Sequence, residues 1–333
     1  MKIFSKIMMS RLAIVLPKLI SKQQGAFVKG RSIVENISIA REMVHEIDHK
    51  AFRGNLIIKV DMEKAYDRLD WGFIIQVLQK FGFARRWISM VQRCWEGIWF
   101  SALINGRSFG FFKSSRGLRI SNVRSLLSLI QQYERALGQK LNTSKTSFIV
   151  PTKTPRTRSN KLSALTSYKQ AFLPSTYLSV PLAKGRIPAA LCHQVLHKII
   201  GKIDGWKAKL LNSAAKLVLI KHVLSSIPIH MISAISLSKL VLKLVESAMA
   251  NFFWGSSDRG NKRHLVKWPS LCSPYSEGGL GIRYLEETTR AFRIKMAWQL
   301  LQGDSLWASL FSVKYFEKLM LLNGLNGSAI SHG

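Results

Sequence analysis

Asn55 to Trp71 reads NLIIKVDMEKAYDRLDW. Its run Leu56-Ile57-Ile58-Lys59-Val60 is apolar and β-branched, which predicts a mostly buried strand. The strand ends on Asp61, and Glu63, Asp67 and Asp70 follow close behind. A carboxylate at the end of a buried strand packs poorly but is well placed to hold a hard cation. The same residue serves equally well as a loop cap, and residue type alone leaves both readings open. Asp70, directly before Trp71-Gly72-Phe73-Ile74-Ile75, reads as the N-cap of a following helix.

Outward from this stretch, the chain is strongly basic. Among 333 residues there are 50 Lys and Arg against 18 Asp and Glu, a net charge of +32. Such a chain repels itself unless a polyanion is close, and nucleic acid is the natural candidate. A hydrophobic share of 47%, with 9 Trp and 17 Phe, excludes a disordered basic tail and suffices for two or three domains. The three cysteines, Cys94, Cys192 and Cys272, are odd in number and far apart. They imply a reducing compartment, nuclear or cytoplasmic, and not secretion. No acid lies between Glu96 and Glu134, or between Glu134 and Asp204, and the only adjacent acidic pair is Glu286-Glu287.

The local patterns divide the chain. Residues 1–20 form a basic amphipathic segment broken by Pro17 and Lys18, which is neither a good signal peptide nor a membrane span. Gln24-Gly25-Ala26-Phe27-Val28-Lys29-Gly30-Arg31-Ser32 has the composition of a turn that brings backbone and Arg to a phosphate, or of a basic surface hairpin. An amphipathic helix is expected over 33–49, with Ile37, Met43 and Val44 on or near one face. Two helices flank a break at Phe81-Gly82-Phe83, and Trp87, Trp95 and Trp99 read as core. Strand Ser101–Ile104 enters an Asn105-Gly106 hairpin turn. Residues 151–161 form a Pro/Thr-rich basic linker. From Leu191 to Trp254 the pattern is helical, with apolar runs too short and too interrupted to span a membrane.

The string Asp61-x-x-Lys64-Ala65-Tyr66-Asp67 after an apolar strand resembles motif A of reverse transcriptases from non-LTR (LINE-type) retrotransposons, particularly the plant type. Residues 2–12 resemble the start of that family's fingers. Gln24 to Ser32 resembles its Q-x-A-F-x-x-G-R-S motif, in which Gln24, Phe27, Gly30 and Arg31 would meet template and nucleotide. Lys113 to Arg119 resembles the first half of motif B, which adds Arg116, Gly117 and Arg119 to that set. The match fails at Ile120 and resumes near Val123. Residues 130–146 then resemble motif D, with Lys145 as its lysine. Tyr177-Leu178-Ser179-Val180-Pro181-Leu182 is similar to motif E, the primer grip, with Ser179 where the family has glycine. Trp206, Lys207, Lys209 and Lys221 fall in a thumb-like pattern that would lie on duplex, although a solvated lysine face looks the same. Trp268 to Gly281 resembles the start of a zinc-binding reverse transcriptase region, where His264 and Cys272 are too few to hold zinc.

The resemblance implies an α/β (α+β) right-hand polymerase: a fingers remnant at 1–54 and a truncated, incomplete antiparallel palm at 55–150. A linker with the primer-grip-like motif follows at 151–190, then a helical thumb at 191–254, and the zinc-region start with a tail at 255–333. It implies sequence-nonspecific RNA and DNA (template-primer) as partners, with no membrane and no obvious protein partner. It makes Asp61 a catalytic ligand for Mg2+, and Tyr66 the residue that screens the sugar 2′ position. Two-ion catalysis needs carboxylates on two neighbouring strands. The family's Tyr/Phe-Ala-Asp-Asp hairpin, motif C, has no counterpart, because the sequence has no Asp-Asp pair. The expectation is therefore a degenerate, inactive copy that keeps nucleic-acid binding. The rivals are a non-catalytic basic nucleic-acid-binding protein that retains thumb and fingers, and an organellar maturase-like protein of related fold.

Overall fold

The computed structural model describes residues 2–50, 55–63, 70–96, 99–104, 107–113, 140–185, 187–206, 211–257, 260–261 and 264–316. Elements are numbered in chain order among these. The chain divides into two compact units, one of residues 1–31 and 46–173, the other of residues 32–45 and 174–333. Both mix helix and strand, and helix dominates.

In the first unit, α1 (Lys2–Leu19) is followed by the basic loop. Strand β1 (Ile57–Lys59) is shorter than the sequence suggested, and its flanks Leu56 and Val60 stay 44% and 43% exposed. The expectation of a mostly buried strand is thus corrected. β1 pairs antiparallel with β6 (Ser147–Ile149), placing Ile58 opposite Phe148, and β6 pairs parallel with β7 (Lys169–Gln170). β1 is an edge of this three-stranded sheet, while Phe148 and Ile149 in β6 are buried. A strand covered on one side keeps apolar surface in water. Just beyond, β2 (Met62–Glu63) pairs with β5 (Lys140–Leu141).

Asp70 caps α3 (Trp71–Lys80) as expected, its carboxylate accepting the Phe73 N–H at 2.8 Å. The helix stops where Gly82 takes φ +80°. The Phe83 N–H reaches Leu78 O and the Gly82 N–H reaches Gln79 O, both at 3.0 Å, which closes a Schellman turn before α4 (Arg85–Glu96). β3 (Trp99–Ile104) and β4 (Arg107–Lys113) pair with Ile104 opposite Arg107, the register that a two-residue turn requires. Asn105-Gly106 itself lies outside the described residues. So do residues 114–139, which hold the motif-B-like segment and most of the motif-D-like one. α5 (Arg156–Thr166) replaces the expected linker in part: it starts after Pro155, whose fixed φ suits the residue leading into a helix.

The second unit has its own core. Helix α2 (Ile33–Glu46) contributes Ile37 and also buries Val44, two turns apart, whereas Met43 is 54% exposed and leaves the face expected for it. The hairpin β8 (Ser175–Tyr177) and β9 (Val180–Leu182) adds Val180. α6 (Ala189–Asp204) presents Cys192, Val195 and Ile199 to the core at helical spacing. It packs on α9 (Lys239–Trp254), which buries Val241, Leu242, Val245 and Met249.

Between them, α7 (Ser213–Leu219), a π-helical turn (Ile220–Leu224) and α8 (Ser226–Ala234) run as one helix from Ser213 to Ala234. The Ser225 N–H bonds Ile220 O at 2.8 Å, the i→i+5 bond that carries the helix across the turn. By length and composition this 22-residue stretch is apolar enough to cross a membrane, which corrects the sequence reading that the runs are too short. Ile220, Leu224, Met231 and Ile232 on it are buried in this unit's core.

After α10 (Trp268–Cys272), the Gly278-Gly279-Leu280-Gly281 segment folds back along it. The Leu280 N–H bonds Leu271 O at 2.8 Å and the Gly281 N–H bonds Ser273 O at 2.9 Å. A Cβ on Gly279 would sit 2.0 Å from the Ser273 carbonyl oxygen, so no side chain fits there. α11 (Leu285–Gln302) and α12 (Leu306–Phe311) complete the unit.

α11 is joined to α9 by a buried carboxylate: Glu246 Oε1 accepts the Leu285 N–H, at the first turn of α11, at 2.9 Å. An acid there answers both the orphan amide and the helix dipole. Burial nonetheless pushes the Glu246 carboxyl above its ordinary value, against the hydrogen bond that lowers it. The folded state therefore favours the protonated acid, and the stability it confers at low pH is lost as pH rises through the raised value. Glu246→Gln, which keeps an acceptor without the charge, should flatten that loss in denaturant unfolding measured across the carboxylate range. Glu246→Ala, which orphans the Leu285 amide, should cost about 1–3 kcal/mol at every pH.

Candidate nucleic-acid interface

Sequence reasoning singled out Asp61 and Lys145, and the structure brings them together. The Lys145 ammonium lies 3.9 Å from Asp61 Oδ2, the carboxylate being 41% exposed and the lysine 70%. Three backbone-anchored bonds set this geometry. The Asn142 N–H bonds Asp61 O at 2.8 Å, the Asp61 N–H reaches Thr146 Oγ1 at 3.3 Å, and Asn142 O accepts the Thr146 N–H at 2.7 Å. Thr146 is fully buried, so the turn is fixed from beneath while the ion pair faces water. Nothing in the local sequence of either residue signals this meeting, because it depends on β2 pairing with β5.

The set does not fit two Mg2+ ions. Among the described residues no three His, Cys, Asp or Glu side chains are gathered as metal ligands. A single half-exposed carboxylate with an ammonium beside it holds a hard dication poorly, since the ion keeps its waters and meets repulsion. Tyr66 and Asp67 lie outside the described residues, as do Arg116, Gly117, Arg119, Lys207 and Lys209.

In the basic loop, Arg31 is turned inward. Its guanidinium donates to the carbonyls of Ile20 (2.7 Å), Gln24 (3.0 Å), Pro17 (3.1 Å) and Ser21. It thereby answers carbonyls at the end of α1 and in the loop that follows, so it is engaged within the chain. Gln24 donates to Ala26 O. Phe27 takes φ +61° and leaves its ring 87% exposed, and Gly30 takes φ +83°. A strained aromatic standing in water is a poor structural residue and a good stacking platform.

The primer-grip-like hairpin turns on Leu178 (φ +49°) and Ser179 (φ +65°), both left-handed. Two positive φ values in a two-residue hairpin make a type I′ turn, which Asn and Gly prefer. His230 Nε2 pairs with Leu178 O at 2.7 Å and ties the turn to α8. Tyr177 is half-buried, and desolvation raises its hydroxyl.

Two thumb residues have partners within the chain. Trp206 packs its ring 5.5 Å from Phe252 and belongs to the edge of the core. The Lys221 ammonium donates to the Tyr275 hydroxyl at 2.9 Å and sits 4.4 Å from that ring's centre. Neither contact could be read from helical periodicity, because Tyr275 is 54 residues away. His264 pairs with Asn251 Oδ1 at 3.0 Å. The Cys272 thiol is pushed up to about 12 by burial and then by Glu246 and Glu287, and a protonated thiol is a weak metal ligand.

Comparison with known proteins adds four likenesses. Residues 1–120 match the family model described as reverse transcriptase (RNA-dependent DNA polymerase). An Arabidopsis thaliana protein provisionally named a ribonuclease H protein is 39% identical over 137 residues, 41% of this chain and 22% of that one. An uncharacterized mitochondrial protein of the same plant is 34% identical over 93 residues, covering 27% of this chain and 60% of its own length. A 149 kDa uncharacterized protein of transposon TX1 from Xenopus laevis is 21% identical over 94% of this chain and 28% of its own. The chain thus spans less than two thirds of each of these relatives. These matches support a retrotransposon reverse-transcriptase lineage.

Two outcomes follow from the geometry. Lys145→Ala removes an exposed ion pair and should change unfolding free energy by less than about 0.5 kcal/mol, whereas Thr146→Ala should cost about 1–2 kcal/mol. Ser179→Gly should stabilise by about 0.5–1 kcal/mol, since relief of a left-handed side chain exceeds the added entropy of the unfolded chain. Denaturant midpoints check both.

Proposed function

We propose that this chain is a catalytically inactive descendant of a plant-type LINE reverse transcriptase that retains sequence-nonspecific binding to RNA and DNA. The observation that carries the reading is Asp61, paired with Lys145 and joined by no group of metal-ligating side chains among the described residues, where two neighbouring strands of carboxylates are needed. Loss of the motif C hairpin accounts for it. In support, the alignment to the transposon TX1 protein runs over 383 positions, more than the 333 residues of this chain, so that relative has residues here without a counterpart. The exposed Phe27 and the charge of +32 supply what binding needs: a stacking face and many phosphate contacts. Fingers, palm remnant, thumb and the start of a zinc-binding reverse transcriptase region are then the ancestral parts, and a nuclear or cytoplasmic protein is the corresponding location.

The test is primer extension on a primed RNA template with all four deoxynucleotides and Mg2+ or Mn2+. Protein and an Asp61→Ala variant should both stay at the level of a no-enzyme control, while both bind the template-primer with an affinity that falls steeply as salt rises. Extension by the unmutated protein alone would overturn inactivity, and salt-independent binding would overturn the polyanion reading.

A further inference from the structure

Inside the second unit, a cavity of about 450 Å³ opens against α2, the C-terminal end of α8, α11 and α12. It shares Arg41, Ile235, Ser236 and Arg293 with a second cavity of about 590 Å³ toward α6 and the start of α9. Volumes in this range suit small organic ligands. Neither cavity overlaps the residues around Asp61 or the basic loop.

Three properties of the larger-walled, aromatic half converge on one ligand chemistry. The first is charge. Arg41 is partly buried, and burial lowers its guanidinium from the ordinary value against the pull of Glu42. Its acceptor is Ala234 O at 3.4 Å, a long bond for a guanidinium. Arg293 is exposed on the opposite wall, on α11, with no partner among the described residues.

The second is that the one described carboxylate lining the cavity, Glu42, is already occupied. It pairs with Lys314 and accepts the Tyr315 hydroxyl at 2.7 Å. Burial alone would raise it, but these partners hold it below the ordinary carboxylate value, so its charge is matched locally. The wall keeps a positive excess from the two arginines.

The third is aromatic. Phe292, Phe311 and Trp307 line the same space. Trp307 is 4% exposed, and its indole N–H has no hydrogen-bond partner among the described residues. A buried donor left open costs about 1–3 kcal/mol unless a ligand or water answers it. Arginine forks beside aromatic faces are what a phosphate joined to a planar ring requires.

We infer that this cavity binds a nucleotide, with its phosphate between Arg41 and Arg293 and its base against Phe292 and Phe311. The ligand class follows from the cavity's own chemistry and does not depend on the nucleic-acid reading above. The nucleotide is either free or the phosphorylated end of a strand.

The experiment uses the full chain in high salt, where loose polyanion contacts are screened. Adenosine 5′-monophosphate, adenosine and inorganic phosphate are titrated by calorimetry. The mononucleotide should bind at least about tenfold tighter than either fragment. Arg293→Ala, a change at an exposed position that leaves the core untouched, should weaken it about tenfold. Phe292→Leu, which removes a ring face from the cavity wall, should weaken it severalfold. Neither variant should alter affinity for a long duplex, which separates this site from general binding.

Photolabelling with 8-azidoadenosine 5′-monophosphate should mark peptides from 292–311. A 5′-phosphorylated trinucleotide that binds tighter than the mononucleotide assigns the site to a strand end, and equal binding assigns it to the free nucleotide. Phosphate competing as well as the mononucleotide, label elsewhere, or an Arg293→Ala protein with unchanged affinity would each overturn the inference.

Discussion

Carboxylates are the scarce material of this chain, and where each goes decides what the structure can do. With 50 basic residues to satisfy and 18 acids, electrostatic self-repulsion is the standing cost of compactness. The acids accordingly sit where one charge does most. Asp70 opens α3, Asp48 accepts both the N–H and the hydroxyl of Thr152, Glu42 gathers Lys314 and Tyr315, and Glu246 joins α11 to α9. Asp61 lies beside Lys145. Each of these acids has a partner close by, and among the described residues no three ligating side chains are gathered.

The two units draw on different sources of order. The second has a continuous apolar core built from α2, the β8–β9 hairpin and the helices that follow, and α6 against α9 is its largest helix contact. The first rests on short ladders of two to seven residues and on point contacts such as Asn55, whose amide donates to Ile47 O and His49 O. A helical core with many local contacts tolerates loss of distant sequence better than a sheet whose strands must find partners far along the chain.

What the sequence made legible was local chemistry. The N-cap at Asp70, the stop at Gly82, the register of β3 with β4 and the helical run after Leu191 all rest on interactions within a few residues. What stayed hidden were meetings across long separations: β1 with β6, Lys221 with Tyr275, Glu246 with Leu285. Side-chain type told where Arg31 and Trp206 could act, but not that the first faces four carbonyls and the second a phenylalanine. Periodicity also could not show that a π-helical turn at Ile220–Leu224 joins two apolar helices into one. Asp61 and Lys145 were found as single residues, and their pairing needed the fold.

Arg31 carries a consequence for how such chains age. Its four carbonyl contacts seal the end of α1, so replacing it would unpick the loop whether or not any nucleotide ever arrives. Selection for mere foldedness is then enough to hold the arginine in place, along with the spacing of the glycines around it. A residue of a recognition motif can in this way be held in place by the loop it closes, and its presence alone is no measure of what the chain does.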